Sequence, residues 1–330
     1  MMSSMSGYIT YIEYQYATKK GATAQGDLIS NPFGFGKVDT DFTAAKVVET
    51  IAEGQTELAW APVVKGSIEK FEDGAWKKVE GEYTPKAGDK VRYEYDNVVV
   101  PQKDLPMIKA EMKSLPLVAK ARRIAVYYSQ IAAYQAKTDY GVDLGDQLAE
   151  KAVGELSYEI DTEITNLLDT TAGEAAAELV WSKTLPVGVS KAEHYEGFAE
   201  IVEIAKQIIY DRTKKFAPNY MLCASNLIPV LSVVKGWNAA PAGQVNGPYF
   251  AGTLNGLKVF VTPNIKAGRF VIGCNGNDMM SSAAVYAPYM AIVPTQLLGY
   301  ADGGMSQGWS TLYDLKVLND KLLVAGEMVA

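Results

Sequence analysis

The strongest periodicity in the chain lies between residues 143 and 169. Leu144, Leu148, Ala152, Leu156, Ile160, Ile164 and Leu168 recur every four positions behind Asp143, a residue suited to cap a helix N-terminus. This spacing predicts one long α-helix. A strict four-residue step rotates the apolar stripe by about 40° per repeat against the 3.6-residue turn, so ends roughly 40 Å apart should bury against different partners. A second amphipathic helix is predicted over 196–215, where Phe198, Ile201, Val202, Ala205, Ile208 and Ile209 hold the i, i+3, i+4, i+7 pattern and Pro218 follows. Strands are predicted at 220–224, 257–262, 270–274 and 285–293. A capped helix is expected to start at Ser225 or Asn226, with Pro229 in its first turn and Gly236 beyond its end. The chain is expected to close with a hairpin about Asn319-Asp320, since Tyr313, Leu315 and Val317 alternate before it and Leu322 and Val324 after it.

The first third of the chain reads differently. Residues 1–54 are weakly patterned, and the opening 26, rich in Ser, Thr, Gly, Ala and Tyr, read as an extended arm that orders only against a neighbour. A short helix is expected within 38–53 from Phe42, Ala45, Val47, Val48 and Ile51. From 56 to 105 the pattern turns to strands and tight turns, marked by Glu72-Asp73-Gly74 and Lys86-Ala87-Gly88-Asp89. Val91, Tyr93 and Tyr95 alternate with Arg92, Glu94 and Asp96, as in a strand with one polar face. Few large aliphatic residues fall between Ser67 and Asp89, so these strands cannot build a large core and must project or pack on another chain. A returning strand is expected over 117–129, carrying Lys120, Arg122 and Arg123. Together these elements predict an α+β fold, with helices flanking a mostly antiparallel sheet.

Composition narrows the chemistry. The 330 residues include 31 Lys+Arg and 38 Asp+Glu, for a formal net charge of -7, and no 18-residue apolar run occurs. The acidic balance argues against a broad nucleic-acid-binding surface, so Lys120, Arg122 and Arg123 are expected to meet acidic neighbours. The start of the chain lacks the basic and apolar regions of a signal peptide. His194 is the single histidine, and Cys223 and Cys274 are the two cysteines. That supply barely fills one zinc site, and His194 sits in what reads as the polar approach to a helix. Both cysteines lie in apolar strand patterns and are expected to be buried and unreactive.

The glycines of Asn31-Pro32-Phe33-Gly34-Phe35-Gly36-Lys37 do not complete a phosphate loop or a dinucleotide fingerprint. Asn275-Gly276-Asn277-Asp278 lacks the later glutamate of a calcium loop and is expected to be a turn. Glu155, Glu159 and Glu163 mark a solvated or inter-subunit helix face. No residue is therefore assigned a catalytic, cofactor-binding or metal-binding role, and no cofactor is expected.

Six segments in order resemble one family. Ala119-Lys120-Ala121-Arg122-Arg123 with Tyr127-Tyr128-Ser129, Tyr140-Gly141-Val142-Asp143, and Glu159-Ile160-Asp161-Thr162-Glu163-Ile164 are the first three. Asn219-Tyr220-Met221-Leu222-Cys223-Ala224-Ser225, Phe250-Ala251-Gly252-Thr253-Leu254-Asn255-Gly256 with Lys258-Val259-Phe260-Val261, and Tyr286-Ala287-Pro288-Tyr289-Met290-Ala291 complete the set. In this order they resemble the major capsid proteins of tailed bacteriophages, the Hong Kong 97-type fold, and most closely those of the large contractile-tailed phages. The likeness covers about 115–300, and the residues before it match in layout only.

The resemblance implies an N-terminal arm over 1–54 and an extended β-hairpin loop over 55–110, with room for a small insertion. It further implies a peripheral domain with a spine helix over 111–175, an axial domain over 176–280 and returning strands over 281–330. It implies a virion protein, assembled in the host cytoplasm, that is not an enzyme. Identical subunits would form hexamers and pentamers that tile an icosahedral shell around packaged double-stranded DNA, without sequence-specific contact and without a membrane. Scaffolding protein, portal and decoration or minor capsid proteins are the further partners it implies. Residues 1–54 are too few for a fused scaffolding domain, so a separate scaffold or a trimmed precursor is expected. Lys65, Lys70, Lys77, Lys78 and Lys86 lie in the excursion, but nothing singles one out for cross-linking, and no cross-link is expected. Two rival readings are an encapsulin-like compartment shell and a carbohydrate-binding module using Trp60, Trp76, Tyr83, Tyr93 and Tyr95.

Overall fold

The computed structural model describes residues 2–96, 98, 105–241 and 247–329; within the predicted excursion, residues 97 and 99–104 lie outside them. The chain divides into two compact units, residues 10–113 and residues 1–9 with 114–330.

The smaller unit is all β. Strand β1 (Ser6–Tyr16) pairs with β2 (Leu28–Asn31), which pairs with β3 (Gly34–Phe35). A second sheet has the order β4-β7-β5-β6, formed by β4 (Lys46–Thr50), β5 (Glu69–Glu72), β6 (Ala75–Lys78) and β7 (Lys90–Glu94). The first sheet gains β8 (Ile108–Val118) beside β1, and the chain passes from one unit to the other within these two strands.

Two expectations are corrected here. Residues 10–54 are not a free arm, because Tyr16, Phe33, Phe42, Val47 and Ile51 are buried within the unit. The helix expected within 38–53 is strand β4 instead, whose Val47 registers on Tyr93 and joins a core of Ile51, Trp60, Val91, Tyr93 and Tyr95. Adjacent β-branched residues at 47 and 48 suit a strand with a partner better than an isolated helix. Lys20, only 2% exposed, closes this core. Its Nζ donates to the carbonyl of Phe42 at 2.9 Å, to that of Ala44, and to Tyr95 Oη at 2.8 Å. The ammonium also sits over the Trp60 and Tyr95 rings, 5.2 and 4.9 Å from their centroids, where cation–π attraction offsets part of its lost hydration. Burial lowers its pKa, opposed by Asp39 and Asp41.

The larger unit opens with β9 (Lys120–Ser129), α1 (Gln130–Tyr140) and the long helix α2 (Leu144–Ala172). The predicted returning strand is thus split at Ala119 between β8 and β9. Asp143 caps α2, its Oδ1 accepting from Gly145 N at 3.0 Å. After β10 (Val180–Ser182), helix α3 (Lys191–Thr213) is capped by Ser190. Strand β11 (Tyr220–Cys223) follows, and then the predicted helix is reduced to a 3-10 turn and the four-residue α4 (Ile228–Leu231). The remaining strands are β12 (Trp237–Ala239), β13 (Tyr249–Leu254), β14 (Leu257–Val261), β15 (Arg269–Gly273), β16 (Ala284–Pro294), β17 (Leu298–Gly299), β18 (Gly304–Val317) and β19 (Leu323–Val329).

They form two sheets. The central one has seven strands in the order β10-β19-β15-β11-β14-β13-β12, antiparallel except for the β10–β19 and β11–β14 pairs. In the other, β9 runs along one edge of β18 while β16 and β17 pair with it as well. The hairpin expected about Asn319 does not form, because β18 and β19 belong to different sheets. Alternation identified both strands; it cannot say which neighbour each one meets.

Helix α2 bridges these two sheets. Its Ala152 and Leu156 pack with Trp309, Ile124 and Val126, whereas Leu168 and Ala172 pack on the main core of the central sheet. The rotating stripe thus meets two different partners, as its spacing predicts.

Candidate functional site

Helix α1 is held by its ends and not by burial. Ser129 Oγ accepts from Ile131 N at 3.3 Å, and Gly141, at φ 67°, lets its own N–H and that of Val142 return to the last carbonyls. Such a left-handed closing residue favours glycine. None of the eleven residues is buried, and Ile131, Tyr134 and Tyr140 are 71%, 73% and 81% exposed. An isolated helix this short is marginal in water. Its aromatic and aliphatic side chains therefore face a partner surface or are wasted.

The apolar surface continues at the base of α1. Gln130 N donates to Gly303 O at 2.9 Å, which ties the helix start to the turn before β18. Leu298 registers on Ser306 and Ser306 on Tyr127, so Leu298 and Tyr127 share one face of the sheet. The Tyr127 ring lies 6.3 Å from that of Tyr300, and its hydroxyl donates to Asp302 Oδ2 at 3.2 Å. That carboxylate keeps the Tyr127 phenol above its usual range. Leu297, Leu298, Tyr300 and Tyr127 are all exposed. Large apolar residues exposed side by side mark an interaction surface.

Polar latches hold α2 beside this surface. Glu163 Oε2 takes a salt bridge from Arg122 at 2.7 Å and a hydrogen bond from the Tyr313 hydroxyl. Burial and the Glu163 carboxylate push the Tyr313 phenol up to about 12. Six residues further on, at the C-terminus of α2, the Arg269 guanidinium pairs with Asp169 and reaches the Gly173 carbonyl, placing a cation at the negative end of the helix.

The residues singled out by sequence fall into structural roles. His194 lies in the first turn of α3, stacked on Trp181 with its Nε2 2.8 Å from Ser182 O. Cys223 and Cys274 are buried, and burial pushes the Cys223 thiol up to about 12. Gly36 approaches the Leu28 backbone so closely that a Cβ would collide with its carbonyl, which explains that glycine without any phosphate. Residues 275–278 form a turn bridged between Asn275 and Ser282. Of the basic trio, Arg122 finds its acidic partner within the chain, while Lys120 and Arg123 are exposed. Glu155 and Glu159 are exposed, and Glu163 is the one drawn into a latch.

In the excursion, Lys70 pairs with Glu72 and Asp89, and Lys77 with Asp73. Trp60, Tyr93 and Tyr95 are buried core, which removes three of the five aromatic residues from any carbohydrate surface. Sequence reasoning missed α1 and the buried Lys20. The Ser129 cap and the Ile131–Tyr134 spacing carried a signal for α1, but no local pattern identifies Lys20.

Among the described residues no group of three or more His, Cys, Asp or Glu side chains could hold a metal ion, and no helix is long and apolar enough to cross a membrane. The family model for "Major capsid protein Gp23" matches residues 1–321. The major capsid protein of Enterobacteria phage T4 is 26% identical over 203 residues, covering 53% of this chain and 38% of that protein. That of Vibrio phage KVP40 is 24% identical over 222 residues, covering 60% and 43%. The chain spans roughly two fifths of the length of the curated relatives it matches. Among solved structures, a chain of Microbacterium phage Oxtober96 overlaps 86% of each chain at 12% identity with a TM-score of 0.47. With a family match running through both units, this chain belongs to the major capsid protein Gp23 family.

Proposed function

We propose that this chain is the repeating subunit of a tailed-phage head. It assembles through hexamers and pentamers into an icosahedral shell around double-stranded DNA, with a structural and not a catalytic role. The observation that carries this reading is the uncovered apolar surface of α1, Tyr127, Leu298 and Tyr300 in a member of a capsid protein family. A surface of that kind is completed by copies of the same chain. Within the subunit, 55–110 acts as the excursion over a neighbour, 111–175 as the peripheral domain with α2 as its spine, 176–280 as the axial domain, and 281–330 as returning strands. The subunits are not cross-linked, and a scaffolding protein, a portal and decoration or minor proteins complete the particle in the host cytoplasm. The net charge of -7 suits a container that releases its genome.

Negative-stain electron microscopy of the purified protein tests this. Closed shells or capsomers are expected, with nucleic acid in particles taken from infected cells. Protein cargo in place of nucleic acid would favour a compartment shell, and a monomer at all concentrations would overturn both readings.

A further inference from the structure

We infer that the cavity beneath the second half of α2 is a binding site for a compact amphipathic anion, an aryl or short acyl carboxylate. The cavity holds about 380 Å³, at the lower end of the range for small-molecule sites. Its walls come from three elements of the larger unit: Ile164 and Leu168 of α2, Leu222 and Phe260 of the central sheet, and Tyr286 and Leu315 of the β16–β18 pair. Cross-strand register explains the sheet wall. Tyr220 pairs with Lys258 and Leu222 with Phe260, so all four side chains share one face. Tyr220, Leu222 and Phe260 are half-buried and Lys258 is exposed, so this part of the sheet face is not sealed.

One charge stands at this apolar site. Lys258 lines the cavity, is exposed, and makes no ion pair among the described residues. The polar groups of Asn219, Asn275 and Ser282 are already engaged with one another. Asn275 N donates to Asn219 Oδ1 at 2.9 Å, and Ser282 Oγ donates to Asn275 Oδ1 at 2.9 Å. An apolar body therefore fits the walls, and an anionic head fits the ammonium, where a charge-assisted hydrogen bond would orient it. A neutral molecule of the same shape gains only the walls. Because the ligand touches α2 and both sheets, its binding stabilises the larger unit by linkage.

Titration calorimetry on the purified full chain with 4-phenylbutyrate and 4-phenylbutanol tests the site. The carboxylate is expected to bind at least tenfold more tightly than the alcohol and to raise the melting temperature. Lys258→Met keeps the aliphatic stem and should abolish the preference while leaving the alcohol's affinity within twofold. Leu222→Trp should block both compounds, with its fold checked by circular dichroism. Equal affinity of the two compounds for the unmodified protein would overturn the inference, as would a preference that survives Lys258→Met. If Leu222→Trp fails to fold, a brominated analogue decides the location: its anomalous signal beside Phe260 supports the site, and a signal only elsewhere rejects it.

Discussion

The two faces of the central sheet are covered by helices that follow different rules. On one face, α3 places Phe198, Val202, Ala205 and Ile209 in line, and the strand residues on that side, Met221, Cys223, Val259, Phe270 and Ile272, are fully buried. Phe198 meets Phe270 edge-on, with ring centroids 5.3 Å apart. On the other face, α2 brings a stripe that has already rotated away from its starting direction. It leaves Tyr220, Leu222 and Phe260 partly exposed and a cavity beneath it. A stripe that follows the helical turn seals a sheet; one that steps strictly by four serves two partners and seals neither as completely. The sealed face supplies stability, and the open face links the central sheet to the sheet that carries the exposed apolar surface.

Substitutions on the two faces should separate these roles. Phe198→Ala removes a buried ring from the sealed face and is expected to cost about 3–5 kcal/mol in denaturant unfolding. Leu168→Ala on the open face removes a half-buried side chain and should cost about 1–2 kcal/mol; equal losses at both positions would erase the contrast. Tyr313→Phe deletes one hydrogen bond of the Glu163 latch and should cost about 1 kcal/mol near neutrality.

The same phenol carries a pH signature. Its pKa is raised in the folded chain from 10.0 to about 12, so its contribution is complete below pH 10 and is lost as pH rises towards 12. Denaturation midpoints measured between pH 9 and 11.5 should therefore fall more steeply in the parent than in Tyr313→Phe. The smallest effect is expected at Gly154, in the interior of α2, where an added Cβ meets nothing within 4 Å. Gly154→Ala should stabilise by about 0.5–1 kcal/mol in thermal unfolding, and a loss would reveal a close neighbour at that position.

Elements whose partners lie nearby in sequence, or whose pattern is long, were legible beforehand. The Asp143 cap, the two-partner packing of α2, the face of α3 and the strands near 220, 257 and 270 follow directly from residue spacing. What spacing cannot convey is which strand pairs with which. Val47 and Val48 sit in a short apolar run that fits helix or strand, and only β7, more than forty positions away, decides between them. The alternation on either side of Asn319 is real, yet its two strands enter different sheets. Lys20 reads as an ordinary charged residue until Phe42, Ala44, Trp60 and Tyr95 assemble around it. Helix α1 was not foreseen from the sequence, and only the finished subunit shows that no core lies beneath its apolar residues.

Hydrogen exchange at the α1 amides, measured on dilute subunits and on assembled protein, bears most directly on the claim that copies of this chain cover that helix. Rapid exchange over 131–140 in the dilute subunit, slowed at least tenfold on assembly, is the predicted result. Equal protection in both states would mean that α1 needs no companion, and would contradict it.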